Sequence, residues 1–176
     1  MIHYVVLNNW NNLPTFEDLV AHVFNESFRR RKDLGFAYSY NKKTGEPNFV
    51  MLRWPKFKEN PNCPHYMSTS VVRIVFSPFN IPHSKVIRKE AKKIGLPNVI
   101  QISTSSWSMP AMIDHRIFYR AVHLLAKSTN GMVFENSKLK PITAEQYHRK
   151  HIKIIQYPFH LKLTKSDIVR VPSNTY

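Results

Sequence analysis

Short runs of β-branched and aromatic residues alternate with amphipathic helical stretches along the chain, and no linker interrupts them. The first run, 2–7, has the composition of a strand, and Thr15 followed by Asp18 has the form of a capping box that opens a helix. Further strands are predicted at 36–40, 49–54, 71–76, 99–102, 132–134, 159–163 and 168–171, and further helices at 84–94, 110–128 and 143–151. This order predicts an α+β fold with a mixed or mainly antiparallel sheet and three to four helices packed on it.

The apolar content is high enough for a packed core, since hydrophobic residues make up 43% of the sequence. Because no composition shift or long linker divides the chain, residues 1–176 are predicted to form a single α+β domain. The predicted core includes Val5, Leu19, Val23, Ile74, Phe76, Ile117, Leu124 and Phe134.

The cellular setting is constrained by what the sequence lacks. Cys63 is the one cysteine, so a disulfide framework within the chain is excluded. No apolar run reaches the roughly 18 residues needed for a transmembrane helix. The N-terminal residues lack the basic start and long apolar stretch of a signal peptide. We therefore expect a soluble, cytoplasmic protein that does not insert into membranes.

Motifs for enzymatic chemistry are absent from the sequence. The four glycines are isolated, so there is no phosphate-binding loop, and neither a Gly-x-Ser-x-Gly elbow nor a His-Glu-x-x-His motif occurs. The segment Cys63-Pro64-His65 places a thiol near an imidazole, but partners of a catalytic cysteine usually come from distant segments. The sequence therefore predicts no enzyme and no catalytic residue.

The nine histidines of the chain are candidate metal ligands. His148 and His151 are three positions apart on a predicted helix and can face the same way. Cys63 and His65 are two further potential ligands, but nothing in the sequence links the two pairs, and neighbouring cations oppose a metal ion. No metal site and no organic cofactor are predicted.

The second predicted helix has the most informative charge pattern. Its basic residues fall at i, i+3, i+4, i+7 and i+8 and are Lys85, Arg88, Lys89, Lys92 and Lys93. Its apolar residues, expected to face inward, are Val86, Ile87, Ala91 and Ile94. The whole chain carries 26 lysines and arginines against 11 acids, a net charge of +15. The pattern predicts a docking surface for an acidic protein or for nucleic acid phosphates, with a merely solvated lysine-rich face as the alternative interpretation.

One stretch of sequence is similar to a known pattern. Residues 125–135, Leu-Ala-Lys-Ser-Thr-Asn-Gly-Met-Val-Phe-Glu, are followed by 141–147, Pro-Ile-Thr-Ala-Glu-Gln-Tyr. This resembles immunity-protein families of bacterial polymorphic toxin systems, in which a helix leads through a glycine to a short strand, a turn and a capped helix. The resemblance implies a non-enzymatic protein that binds and neutralises a cognate toxin, here an acidic one. The alternative function is nucleic acid binding through the same basic residues.

Overall fold

The computed structural model describes residues 1–24, 35–40, 47–55, 69–76, 82–105, 112–135 and 139–157. The strands in these ranges are β1 (Ile2–Leu7), β2 (Gly35–Tyr40), β3 (Pro47–Pro55), β4 (Thr69–Phe76), β5 (Asn98–Ser105), β6 (Met132–Glu135) and β7 (Ile142–Thr143). The helices are α1 (Phe16–Phe24), α2 (Pro82–Lys93), α3 (Met112–Ser128) and α4 (Ala144–Ile155). The predicted strands at 159–163 and 168–171 lie outside the described residues, as does Cys63.

The strands form one sheet in the order β2-β3-β4-β5-β1-β6-β7, and every neighbouring pair is antiparallel. β1 lies inside the sheet, where Val5 is opposite Ile100 of β5 and Val133 of β6. This arrangement confirms the predicted α+β class. Of the two predicted kinds of sheet, mixed or mainly antiparallel, the described strands form the antiparallel one. The prediction that all of 1–176 forms a single domain stays a prediction, because part of the chain lies outside the described ranges.

Helices pack on both faces of the sheet. Val5 and Leu7 belong to the larger core, which also contains apolar residues of α1, α3 and α4. Tyr4 and Val6, which alternate with them along β1, belong to a smaller core that includes residues of α2. A strand covered on both sides loses the polar alternation of an exposed one, and β1 is buried from its second residue onward.

Two helices end in turns that contain a left-handed residue. After α2, the Leu96 amide donates to Ala91 O at 3.0 Å and Gly95 has a φ of +76°, which is the Schellman arrangement. After α3, the left-handed residue is Asn130, with a φ of 49°. A Cβ on Gly131 would lie 2.6 Å from Val6 O, so the lack of a side chain there lets the chain approach β1.

Two arginines of α3 donate hydrogen bonds to backbone carbonyl groups of neighbouring helices. Arg116 donates to Val23 O at 2.8 Å, and Arg120 donates to His22 O at 2.7 Å and to Ile155 O at 3.3 Å. Ile155 is the last residue of α4. The last carbonyls of a helix lack partners within the helix and carry partial negative charge, so a guanidinium group suits this position. Burial, together with the charge of Arg120, lowers the pKa of Arg116 to about 10. These contacts join α1 and α4 to α3.

Most of the predicted core is confirmed. Six of its residues are buried, namely Val5, Leu19, Val23, Ile74, Ile117 and Phe134. The remaining two, Phe76 and Leu124, are partly buried and pack against the larger core. Leu124 lies at the edge of the inward face of α3 because that face is centred on Ile117, Ala121 and Leu125, which are all buried.

Candidate functional site

The helix α2 is anchored to the sheet by a narrow inward face. Ser84, Ile87 and Ala91 are buried, and the two apolar residues pack in the smaller core with Tyr4 and Phe134. Spacings of three and four residues bring these positions to one side of a helix. The opposite side of α2 is therefore held in a fixed orientation toward solvent.

Four of the five predicted partner-binding residues lie on that solvent side. Lys85, Lys89, Lys92 and Lys93 are exposed, whereas Arg88 is half-buried on the flank of the helix. Arg88 follows Ser84 by four residues and precedes Ala91 by three, so its position is next to the inward face. The structure thus brings the lysines together on one helical surface, and we call these four residues the lysine face.

Two apolar residues were wrongly expected to point inward. The side chains of Val86 and Ile94 are exposed, with 46% and 44% of their surfaces accessible. Val86 is turned away from the inward face by about 100° relative to its neighbour Ile87. Ile94 comes after the last residue of α2, in the turn that Gly95 completes. The lysine face therefore has apolar side chains at both of its ends.

One acid lies among the lysines of α2. The Lys93 ammonium donates to Glu90 Oε1 at 2.8 Å, and both side chains retain contact with solvent. An exposed pair of this kind contributes at most about 1 kcal/mol to stability. Its main effect is to neutralise part of the positive charge near the C-terminal end of the helix.

A buried polar cluster, which was not predicted from the sequence, lies between the sheet and α4. Its first pair is His3 of β1 and Tyr147 of α4, whose Nδ1 and hydroxyl are hydrogen-bonded at 2.9 Å. Burial lowers the pKa of His3 to about 3 and raises the pKa of Tyr147 well above its usual value. Both groups are therefore neutral at pH 7.

The second part of the cluster is centred on the carboxylate of Glu135. Glu135, which is opposite His3 in the sheet, accepts hydrogen bonds from His151 Nε2 at 2.5 Å and from Lys150 Nζ. Burial alone raises the pKa of Glu135, but the hydrogen bonds and charges of His151 and Lys150 outweigh it and lower the pKa to about 2. The His151 ring also lies against Tyr119, with centroids 4.3 Å apart.

The buried polar cluster joins β1, β6, α3 and α4. Because its hydrogen-bonding groups pair with one another, the cluster is a structural connection between the sheet and α4. A signal for it was present in the sequence, because His3 occupies an inward position of a strand in register with Val5 and Leu7. The partners come from distant segments, which periodicity within one segment does not connect.

The two candidate metal ligands on α4, His148 and His151, contact different residues. His151 donates to Glu135, whereas the His148 ring packs against His123 with centroids 4.7 Å apart. Within the described ranges, no group of three or more histidine, cysteine, aspartate or glutamate residues is placed to hold a metal ion. Cys63 and His65 lie outside those ranges.

Comparison with family models, curated proteins and solved structures finds no match to this chain. In the part of the chain that the structure describes, no helix combines the length and apolar character needed to cross a lipid bilayer. Evidence for a function therefore comes from the chemistry of the lysine face and the residues around it.

Proposed function

We propose that the protein is a non-enzymatic inhibitor that binds an acidic protein through the lysine face, in the manner of an immunity protein that neutralises a cognate toxin in the cytoplasm. The observation that carries the proposal is the fixed display of Lys85, Lys89, Lys92 and Lys93 on one helix whose other side is buried. A chain with a net charge of +15 adds long-range attraction for an acidic partner.

An acidic protein is preferred to nucleic acid because of the apolar side chains beside the lysines. Phosphate contacts are polar and electrostatic, so exposed valine and isoleucine side chains contribute nothing to them. The buried centre of a protein interface, in contrast, is depleted of charge and enriched in apolar contacts. The exposed side chains of Val86 and Ile94 therefore favour a protein as the partner that binds α2.

The proposed mechanism is electrostatic steering followed by occlusion. Complementary charges speed the encounter of two proteins and select their orientation, and they raise the association rate more than the final affinity. Since the lysines are held by a helix that is packed on the sheet, docking costs little backbone ordering. The bound inhibitor would then cover the acidic active-site surface of its partner.

The test is affinity capture from the native cell with the full chain as bait, with and without nuclease treatment. We expect one acidic protein to remain bound after nuclease, in near-equimolar amount, and to be lost with the double variant Lys89→Glu/Lys92→Glu. Binding should also weaken as the salt concentration rises. Both changed residues are exposed, so the variant should fold normally.

The matched control is Arg149→Glu/Lys153→Glu, which reverses two exposed cations on α4 and changes the net charge by the same amount. This control should retain the acidic protein. If nuclease instead releases all bound material, the partner is nucleic acid. If both double variants lose binding equally, the attraction comes from total charge and the lysine face has no specific role.

A further inference from the structure

The surface of α2 is organised in two rows of side chains, one cationic and one mainly apolar. Lys85, Lys89 and Lys93 are spaced four residues apart and form a cationic row. Val86 and Glu90 lie in the adjacent row, and Ile94 continues that row in the turn that follows α2, so the two apolar residues are at its ends. Rows at i, i+4 and i+8 are the ridges that interlock when two helices pack.

The two rows lie on the part of α2 that is turned away from its buried side chains. Among the described residues, α1, α3 and α4 contribute to the core on the opposite face of the sheet, and α2 is the helix that packs on this one. The exposed ends of the apolar row, Val86 and Ile94, are eight residues apart, which is about 12 Å at the rise of an α-helix. A partner helix that runs along α2 repeats its own side chains at the same spacing.

Resting on the proposed function, we infer that the element recognised by α2 is an acidic amphipathic helix of the partner. Its apolar residues, about two turns apart, contact Val86 and Ile94. Its carboxylates pair with Lys85 and Lys89 of the cationic row and with Lys92 beside that row. Charge complementarity selects an acidic segment, and the apolar row sets its register, because a shift by one residue removes both apolar contacts.

Glu90 adds a selective element at the centre of the apolar row. Its carboxylate is held there by Lys93 at 2.8 Å. A partner carboxylate opposite this point would be repelled, so the partner helix carries an uncharged or basic residue at that position. Uniform polyanions do not meet this condition, which separates a patterned helix from a generic acidic chain.

The inference can be tested with two synthetic peptides of identical composition and net charge. In the first, leucines form a stripe along one side of a glutamate-rich helix. In the second, the same residues are scrambled so that no stripe exists. Each peptide is titrated against the full chain at physiological salt, and mixed-sequence duplex DNA is titrated in parallel.

We expect the patterned peptide to bind at least about tenfold more tightly than the scrambled one, which corresponds to about 1.4 kcal/mol. The variant Val86→Ser/Ile94→Ser should abolish that difference and leave the weaker, charge-driven binding of both peptides. Because both residues are exposed, the variant should remain folded, which thermal unfolding can verify.

The remaining outcomes separate this inference from the proposed function. Equal binding of both peptides, lost with Lys89→Glu/Lys92→Glu, would overturn the helical partner and leave the acidic-partner proposal standing. Peptide binding that is insensitive to Lys89→Glu/Lys92→Glu would overturn both. Duplex DNA that binds more tightly than the patterned peptide would also overturn both and favour a nucleic acid partner.

Discussion

At the scale of single residues, Glu135 is a nearly buried acid that joins β6 to α4. Its side chain is 9% exposed, and it accepts hydrogen bonds from His151 and Lys150. Replacing it with glutamine removes the charge while leaving those donors in place. We expect Glu135→Gln to lower the free energy of unfolding by about 1–3 kcal/mol, measured by urea denaturation at pH 7.

A matched control is available in Glu90, which is also paired with a lysine but on the surface. Glu90→Gln should change stability by less than about 1 kcal/mol, because exposed ion pairs contribute little. If the two variants lose equal stability, the buried position of Glu135 has no special importance. The same comparison checks the low pKa of Glu135. The stability that the glutamate adds relative to glutamine should fade as the pH falls from 4.5, the ordinary pKa of a glutamate, toward about 2, its pKa in the folded protein.

At the scale of elements, the orientation of α2 about its own axis is testable with two adjacent residues. Ile87 is 2% exposed and Val86 is 46% exposed. Ile87→Ala removes buried apolar volume and should cost about 2–5 kcal/mol, whereas Val86→Ala should change stability by less than about 0.5 kcal/mol. Thermal or urea unfolding of the two variants gives the comparison. Equal losses would mean that the helix is rotated relative to the sheet.

This helix also illustrates what the sequence can and cannot predict. Periodicity placed the start of α2 within two residues and its end within one, because local rules govern where a helix begins and stops. Four apolar residues were expected to face inward, but the buried side of α2 is limited to Ser84, Ile87 and Ala91, so Val86 and Ile94 remain outside. The apolar ends of the lysine face, on which the proposed preference for a protein partner rests, were therefore not predicted.

The sheet shows the same division between local and distant information. Six strands in the described residues were predicted, because each is a run of β-branched or aromatic residues bounded by turn signals. The two-residue strand β7 was not, since so short a run has no periodicity. Strand order and the pairing of His3 with Glu135 depend on contacts between segments far apart in sequence, which no single segment encodes.

At the scale of the whole molecule, several histidines oppose folding in acid. Burial lowers the pKa of His3 to about 3 and those of His22 and His123 to about 4. In the unfolded chain, each of the three titrates near the ordinary value of 6.5. Between these values the unfolded chain binds more protons than the folded one, so stability is fully present above about pH 6.5 and is lost as pH falls toward 4.

The cations around His22 and His123 strengthen this effect. The two rings are 6.2 Å apart between α1 and α3, and the positive charges of Arg120 and Lys127 lower the pKa of both. On the α4 side, His148 lowers the pKa of His123 as well, and Glu145 opposes it in part. Protonating either ring would add charge to a region that is already cationic, which the folded state resists.

We therefore predict that the free energy of unfolding, measured by urea denaturation, falls steadily from pH 7 to pH 4. The slope should correspond to an uptake of about three protons on unfolding, one for each lowered histidine. In His123→Phe, which keeps a ring between His22 and His148, the uptake should drop by about one proton. High salt screens the repulsion of a surface with a net charge of +15 but leaves the cost of charging a buried ring, so the slope should persist there. Stability that stays constant between pH 7 and pH 5, or a slope that disappears in high salt, would show that surface repulsion and not histidine burial controls the response to acid.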